Sequence, residues 1–261
     1  MANEHPLKPF YSVLVLAFAC SALVAMAAVG LKPYQQANRS LDQKKNILSA
    51  AGIFNPEEPI TEQFSRIETR ILELATGAFV PTEQVDPTTY NQLEAALTDS
   101  MGSELTKETD LAGIRRLENY SPVYLVTSNG ELEQIVLPVR GKGLWSTMYA
   151  YVAIESDLSS IRGVSFYEHG ETPGLGGEIA NPIWQARWQD KQIYGESGDV
   201  ELEFVKNRDQ FPPESQIHLI DGISGATLTT QGVDKLMKFW FGEHGFMPFL
   251  ARLRKEGYTN G

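Results

Sequence analysis

Asp221-Gly222-Ile223-Ser224-Gly225-Ala226-Thr227 brings a carboxylate, two hydroxyls and a small Gly-Ala turn into one short stretch. The turn presents the Thr227 hydroxyl openly, six residues after the carboxylate. Beyond it, Val233, Leu236, Met237, Trp240 and Phe241 recur at i, i+3, i+4, i+7 and i+8. That spacing predicts an amphipathic helix over 228–241, with Thr229 or Thr230 suited to cap its first turn. Thr227 then stands just before a helix N-terminus. Unpaired backbone N–H groups and the positive end of the helix dipole favour an anion there. A phosphate esterified to Thr227 would sit in a favourable field. The plain alternative is a capped turn that binds nothing.

A second constellation is His169-Gly170-Glu171-Thr172-Pro173-Gly174-Leu175-Gly176-Gly177. Its glycines allow left-handed backbone and close approach of amides to a ligand. The Gly174-Leu175-Gly176-Gly177 run lacks the G-x-G-x-x-G spacing, which argues against a dinucleotide-binding crossover. Trp145, within Gly143-Leu144-Trp145-Ser146-Thr147-Met148-Tyr149, reads as a strand residue, suited to a core as much as to a cofactor wall. Glu168, Glu171 and Glu178 read as solvated loop charges rather than a catalytic carboxylate pair. Gly222 to Ala226 approaches the G-x-S-x-G of serine hydrolases, but Ala226 replaces the last glycine and only His244 follows Ser224. A lone cysteine, Cys20, excludes an internal disulfide, a Cys-rich zinc site and a protein-ligated iron–sulfur cluster. His5, His169, His218 and His244 are scattered, so no metal site is expected.

These residues need elements to hold them. From Pro9 to Leu31 no charge interrupts an apolar run bracketed by Lys8 and Lys32. As a helix rising about 1.5 Å per residue it spans roughly 35 Å, enough for a ~30 Å hydrocarbon core. A cleaved signal peptide ending near Ala25-Met26-Ala27 is the rival, but the run exceeds the usual h-region of about 7–15 residues. Residues 36–51 suit a polar helix ending at Gly52, and Thr61 begins a second predicted helix running to Ala75 with Gly77 as its stop. The stretch 78–118 carries no clear pattern. Strands are predicted at 123–127 and 132–139 around the hairpin signal Asn129-Gly130, then at 145–154 and 164–167. A short helix at 181–188 and strands at 200–205 and 216–220 complete the pattern. Strands in a run with helices at the ends predict an α+β domain with a largely antiparallel sheet. The expected organisation is a tail over 1–8, a transmembrane helix over 9–31, a helical connecting region over 32–99 and a ligand domain over 100–261. A net charge of −11 over 261 residues, with no basic stripe, argues against nucleic acid.

Asp221, Ser224, Gly225, Ala226 and Thr227 fill every fixed position of a D-x-x-[ST]-G-A-[TS] pattern. The pattern resembles the flavin-attachment motif of the FMN-binding domain family. The H-x-E-T-P-G-L-G and G-L-W-S segments extend the resemblance, as does Lys44-Lys45-Asn46-Ile47-Leu48-Ser49-Ala50-Ala51-Gly52 behind the apolar run. The resemblance implies one covalent FMN, attached by a flavin transferase through its phosphate to Thr227, with Asp221 placed for recognition by that transferase. It further implies that Thr172, Gly174, Leu175 and Trp145 lie near the flavin. Within the family the chain is similar to the flavin subunit of Na+-translocating NADH:quinone oxidoreductases, with the G subunit of an Rnf-type complex as the alternative. The expected function is then single-electron relay between redox centres of neighbouring subunits, in the bacterial inner membrane, with no catalytic site of its own. A membrane-anchored serine hydrolase and a cofactor-free anchored binding protein are the readings from other classes. Lys32, Arg39, Lys44 and Lys45 behind the span place the large domain in the cytoplasm by the positive-inside rule, but large domains translocate despite such charge. The resemblance implies a periplasmic domain.

Overall fold

The computed structural model describes residues 7–258. Residues 1–6 and 259–261 lie outside the described residues, and His5 and most of the tail expected over 1–8 lie there with them. The chain divides after Gln43 into two units.

Among the described residues the first unit holds one helix, α1, which runs Lys8–Ala50 and so carries into the second unit. Its apolar side chains from Leu7 to Tyr34 are exposed, and it is long and apolar enough to cross a membrane. The apolar run and the polar helix expected at 36–51 are therefore one element, with Pro33 inside it.

In the second unit, α2 (Ile60–Phe64) is followed by β1 (Ile67–Glu73) and β2 (Ala78–Val80), then α3 (Gln92–Leu97), β3 (Gly102–Glu104) and β4 (Arg116–Glu118). Next come β5 (Tyr120–Ser128), β6 (Glu131–Lys142), β7 (Thr147–Glu155) and β8 (Ile161–Glu168). Then follow α4 (Pro182–Gln185), β9 (Glu203–Val205), β10 (Leu219–Asp221), α5 (Thr227–Trp240) and α6 (Met247–Glu256). One six-stranded sheet runs β2-β1-β5-β6-β7-β8, antiparallel throughout, while β9 and β10 pair parallel. The unit is α+β with mixed strand pairing.

Side chains alternate across the sheet. Val123, Leu125, Ile135, Leu137, Val152 and Ile154 face a core shared with α5 and α6. Tyr124, Val126, Val136, Tyr151 and Ala153 face a second core with Ile47, Leu48, Ala50 and Ala51. Burial on both faces explains the near-continuous apolar runs of β5 to β7. Asn129 and Gly130 take φ +53° and +85°, as the two-residue turn joining β5 to β6 requires.

The helix expected from Thr61 to Ala75 is corrected to a five-residue α2 and the strand β1. All seven residues of β1 pair with β5, from Ile67 opposite Val126 to Glu73 opposite Tyr120. A paired edge of this length outweighs the helical spacing of Ile67, Ile71 and Leu74. Gly77, read as a helix stop, has φ +66° and turns the chain between β1 and β2.

Candidate functional site

The parallel pair β9–β10 delivers the chain to the Asp221 turn. There the Arg208 amide donates to Asp221 Oδ1 at 2.8 Å and the Arg208 guanidinium lies 3.4 Å from Oδ2. The Trp184 indole N–H donates to the Asp221 carbonyl at 2.9 Å, and the Gly222 amide to Val205 O at 2.8 Å. Asp221 therefore fastens the turn to its surroundings. Gly225, at φ +77°, adopts the left-handed conformation that reverses the chain, and the Ala226 amide donates to Ile223 O at 3.1 Å.

α5 begins at Thr227, one residue earlier than its spacing predicts, and no side chain caps it. The expected caps are used elsewhere, because both face inward. Thr229 is 1% exposed and donates its hydroxyl to Glu171 Oε2 at 2.6 Å. Thr230 is 7% exposed and accepts from the Ile223 amide at 3.2 Å. The helical ladder starts with the Thr230 amide donating to Ala226 O at 3.0 Å. The amides of Thr227, Leu228 and Thr229 thus precede it and have no intrahelical acceptor. Thr227 is exposed at this end.

Packing places α5 beside the other two segments. Val233, Leu236, Met237 and Trp240 are fully buried, and the Trp240 indole N–H donates to Arg140 O at 2.7 Å. A β-carbon at Gly232 would lie 2.5 Å from Lys142 O, so glycine permits the helix to touch the end of β6. The chain there reverses through residues 143–146, closed by the Gly143 amide donating to Ser146 O at 2.8 Å. Trp145 sits in this turn and not in a strand, and it is 66% exposed. β7 starts two residues later than Trp145 because the turn consumes those positions.

The loop after β8 folds on itself, with the Leu175 and Gly177 amides both donating to Thr172 O, at 3.1 and 2.9 Å. Gly174 takes φ +75° within it. Its first carboxylate overturns the expectation of a solvated charge. Glu171 is only 4% exposed. Its Oε1 accepts from the Trp145 amide at 2.9 Å and the Ser146 amide at 3.3 Å, and its Oε2 accepts from the Leu144 amide at 3.2 Å and from Thr229. Burial works against its charge, but the Thr229 hydroxyl and the amides of Trp145, Ser146 and Leu144 outweigh it and hold the carboxyl below its ordinary range.

Leu144, Trp145, Glu171, Thr172, Leu175, Gly176 and residues 225–229 enclose one cleft of about 220 Å³. Thr227, Ala226, Gly225, Thr172, Leu175 and Trp145 are thus brought together. Asp221, Ser224 and Gly174 are not among its walls; Asp221 holds the turn, and Ser224 and Gly174 are exposed beside it. Sequence reasoning gave no site role to Thr229, Leu228 or Leu144, and it singled out the loop that carries Glu171 and Gly176 but read Glu171 as a solvated charge. Gly143 and Gly176 carried the available signal, since a β-carbon at either would lie 2.5 or 3.0 Å from a Glu171 oxygen. Clefts of about 530 and 360 Å³ lie elsewhere, but neither contains the Thr227 turn.

The cleft fits a flavin mononucleotide in its chemistry. It has an exposed hydroxyl beside unpaired amides at a helix start, for a phosphate, and exposed apolar walls from Leu144, Trp145, Leu175 and Leu228, for a ring. It does not fit a serine hydrolase. Ser224 precedes the 14-residue α5 and His244 follows it against the Phe239 ring, about 20 Å away along the helix. No cluster of His, Cys, Asp and Glu suited to a metal occurs among the described residues.

The FMN-binding domain family matches residues 143–242, which span the cleft's three segments. A Yersinia pestis protein, the C subunit of the Na(+)-translocating NADH-quinone reductase, is 44% identical over 99% of this chain and 97% of its own. The protein of the same name from Pseudomonas aeruginosa is 43% identical, over 98% and 99%. The crystal structure of Shewanella oneidensis NqrC superposes with a TM-score of 0.76 at 33% identity, covering 84% of this chain and all (100%) of that one.

Proposed function

The chain belongs to the family of Na(+)-translocating NADH-quinone reductase C subunits, and from that premise we propose that it carries one FMN in phosphoester linkage to Thr227. It is the electron-carrier subunit of the membrane complex for which its relatives are named, an enzyme that oxidises NADH, reduces quinone and moves Na+. The chain is a redox part of that enzyme and has no separate catalytic site.

The single observation that carries the attachment reading is the state of Thr227. It is the exposed hydroxyl at the start of α5, beside amides without helical partners, on the wall of a cleft with apolar sides. The bound FMN supplies a ring that accepts and gives single electrons. The chain's residues do the rest. The α5 N-terminus stabilises the phosphoester's charge. Leu175 and Trp145 offer apolar surface to the ring, and Thr172 a polar contact at its edge. Asp221, with Ser224, Gly225 and Ala226, shapes the turn that a flavin transferase must read.

α1 anchors the chain in the bacterial inner membrane through 9–31. Residues 32–99, expected to be a helical connecting region, lead from that span to the FMN-binding domain over 100–261 and also add β1 and β2 to one side of its sheet. The domain stands on the periplasmic side, among the other subunits of the complex. Digestion of the chain matured by its flavin transferase tests the central point. The peptide with Thr227 is expected to be heavier by FMN less one water, and an unmodified Thr227 in the active complex overturns the reading.

A further inference from the structure

Glu171 is the one buried carboxylate in the cleft wall, and it joins three segments that the chain brings from far apart. Three consecutive amides of the 143–146 turn point at it, and the Thr229 hydroxyl ties it to the first turn of α5, two residues after Thr227. Glycine stands wherever a side chain would evict it. A β-carbon at Gly143 would lie 2.5 Å from Oε1, and one at Gly176 would lie 3.0 Å from Oε2 and collide with Thr229 Oγ1. No lysine or arginine forms an ion pair with Glu171 among the described residues, so its charge is held by hydrogen bonds and not cancelled by a cation.

We propose that Glu171 is the positioning residue of this cleft and that its fixed negative charge opposes any reduction that adds charge to the redox group held there. The proposal rests on the FMN reading above. Four hydrogen bonds account for the grip on the turn and on α5, but neutral acceptors could make them. The charge has a distinct consequence. When the flavin takes one electron from a neighbouring redox centre without a proton, it gains one negative charge and the donor loses one. A carboxylate lining the same cleft, in a partly water-excluded wall, repels that added charge. When a proton accompanies the electron the flavin's charge is unchanged and the repulsion is absent. Glu171 therefore lowers the potential of the charge-adding step while holding Trp145 and Thr227 in register.

The test uses the full-length chain in two forms, made with and without its flavin transferase. In the form without flavin, amide hydrogen exchange is followed at 143–147 and at 230–233, the first amides of α5 that donate within the helix. In the flavinylated form, the potential of the charge-adding step is titrated. Glu171→Gln keeps the shape but removes the charge and sets an NH2 group against donors. It is expected to speed exchange at 144–146 and to shift the potential upward. Thr229→Val keeps the charge and the three amide bonds but cuts the tie to α5. It is expected to speed exchange at 230–233 and to leave the potential in place. Unchanged exchange at 144–146 in Glu171→Gln, or faster exchange with an unchanged potential, overturns the proposal. So does an equal upward shift in Thr229→Val, since the charge is intact there. Should Glu171→Gln fail to fold, Thr229→Val decides, and wild-type exchange at 230–233 overturns the proposal. A wild-type chain that acquires no FMN sinks the functional reading instead, while exchange in the unmodified chain still reports the grip of Glu171.

Discussion

Four hydroxyls crowd the start of α5, and their surroundings sort them. Thr229 and Thr230 are buried and engaged, Ser224 lies outside the cleft wall, and Thr227 is exposed within it. Thr227→Ala is therefore expected to abolish the flavin adduct and Thr227→Ser to keep part of it, as read by intact mass. Leu175→Ala and Thr172→Ala are expected to leave the adduct in place, since an ester at Thr227 would hold the flavin without them. They are expected to shift its visible spectrum or potential; wild-type values for both variants would remove the loop from the site. Glu171 also sets an acid dependence. Its carboxyl lies below the ordinary value of 4.5 when folded, so the unfolded chain binds its proton first as pH falls. Its contribution to stability is full above about pH 4.5 and is lost as pH falls through the folded value. Denaturant unfolding of the flavin-free chain is expected to weaken less steeply below that pH in Glu171→Gln than in wild type. The exposed hydroxyl of Thr227 at a helix start was legible in the sequence because that placement is local, the end of a seven-residue motif before a helix. Glu171 was not, because its burial depends on residues 144–146 and 229, which only the fold brings near.

At the scale of elements, the sheet and α5 hold the cleft by close contact at small residues. Gly176→Ala would push a methyl into the Thr229 hydroxyl. The expected cost is about 1–3 kcal/mol of stability, as for overpacking elsewhere, with slower flavinylation because the first turn of α5 is displaced. Behind the sheet, the Arg140 guanidinium makes a bidentate pair with Glu118, at 2.8 and 2.5 Å, and joins β4 to β6. Both side chains are buried, and Gln92 also donates to Glu118. Arg140→Met leaves that carboxylate buried without its cation, at an expected cost of about 3–5 kcal/mol. Chemical denaturation measures both costs; a change under about 0.5 kcal/mol, the size of an ordinary surface substitution, contradicts either argument. Hairpins and the α5 stripe were readable from period and turn residues alone. β1 was not, because Ile67, Ile71 and Leu74 carry helical spacing, and the partner that overrides it, β5, lies about 50 residues away in sequence.

For the whole molecule, the apolar surface of α1 and the packed second unit make opposite demands on solvent. Side chains such as Phe10, Leu16, Phe18 and Val29 are each more than 60% exposed. Ile47 and Leu48, on the same helix, are fully buried in the second unit. A chain beginning at Lys44 is therefore expected to stay soluble without detergent, and the full chain to partition with membranes. Aggregation of the shortened chain would show that its core depends on the removed residues. Topology separates the two charge arguments. Protease added to intact spheroplasts is expected to digest residues beyond 32, and protection until lysis would place the domain in the cytoplasm. N-terminal sequencing that begins at Ala28 would show a cleaved leader and remove the anchor.

The sequence by itself determined what depends on neighbours along the chain. These are the Asp221-to-Thr227 heptad, the helix behind it, the antiparallel hairpins and an apolar stretch of membrane length. Each is set by spacing within one element, which composition and period report directly. Tertiary structure alone decided which hydroxyl stays free, why the Trp145 ring is exposed and why Glu171 is buried. Those outcomes follow from packing α5 onto the end of β6, where Gly232 allows contact with Lys142 and three separate segments close one cleft. A hydrogen bond across 58 residues, such as Thr229 to Glu171, leaves no periodic trace in either partner's surroundings.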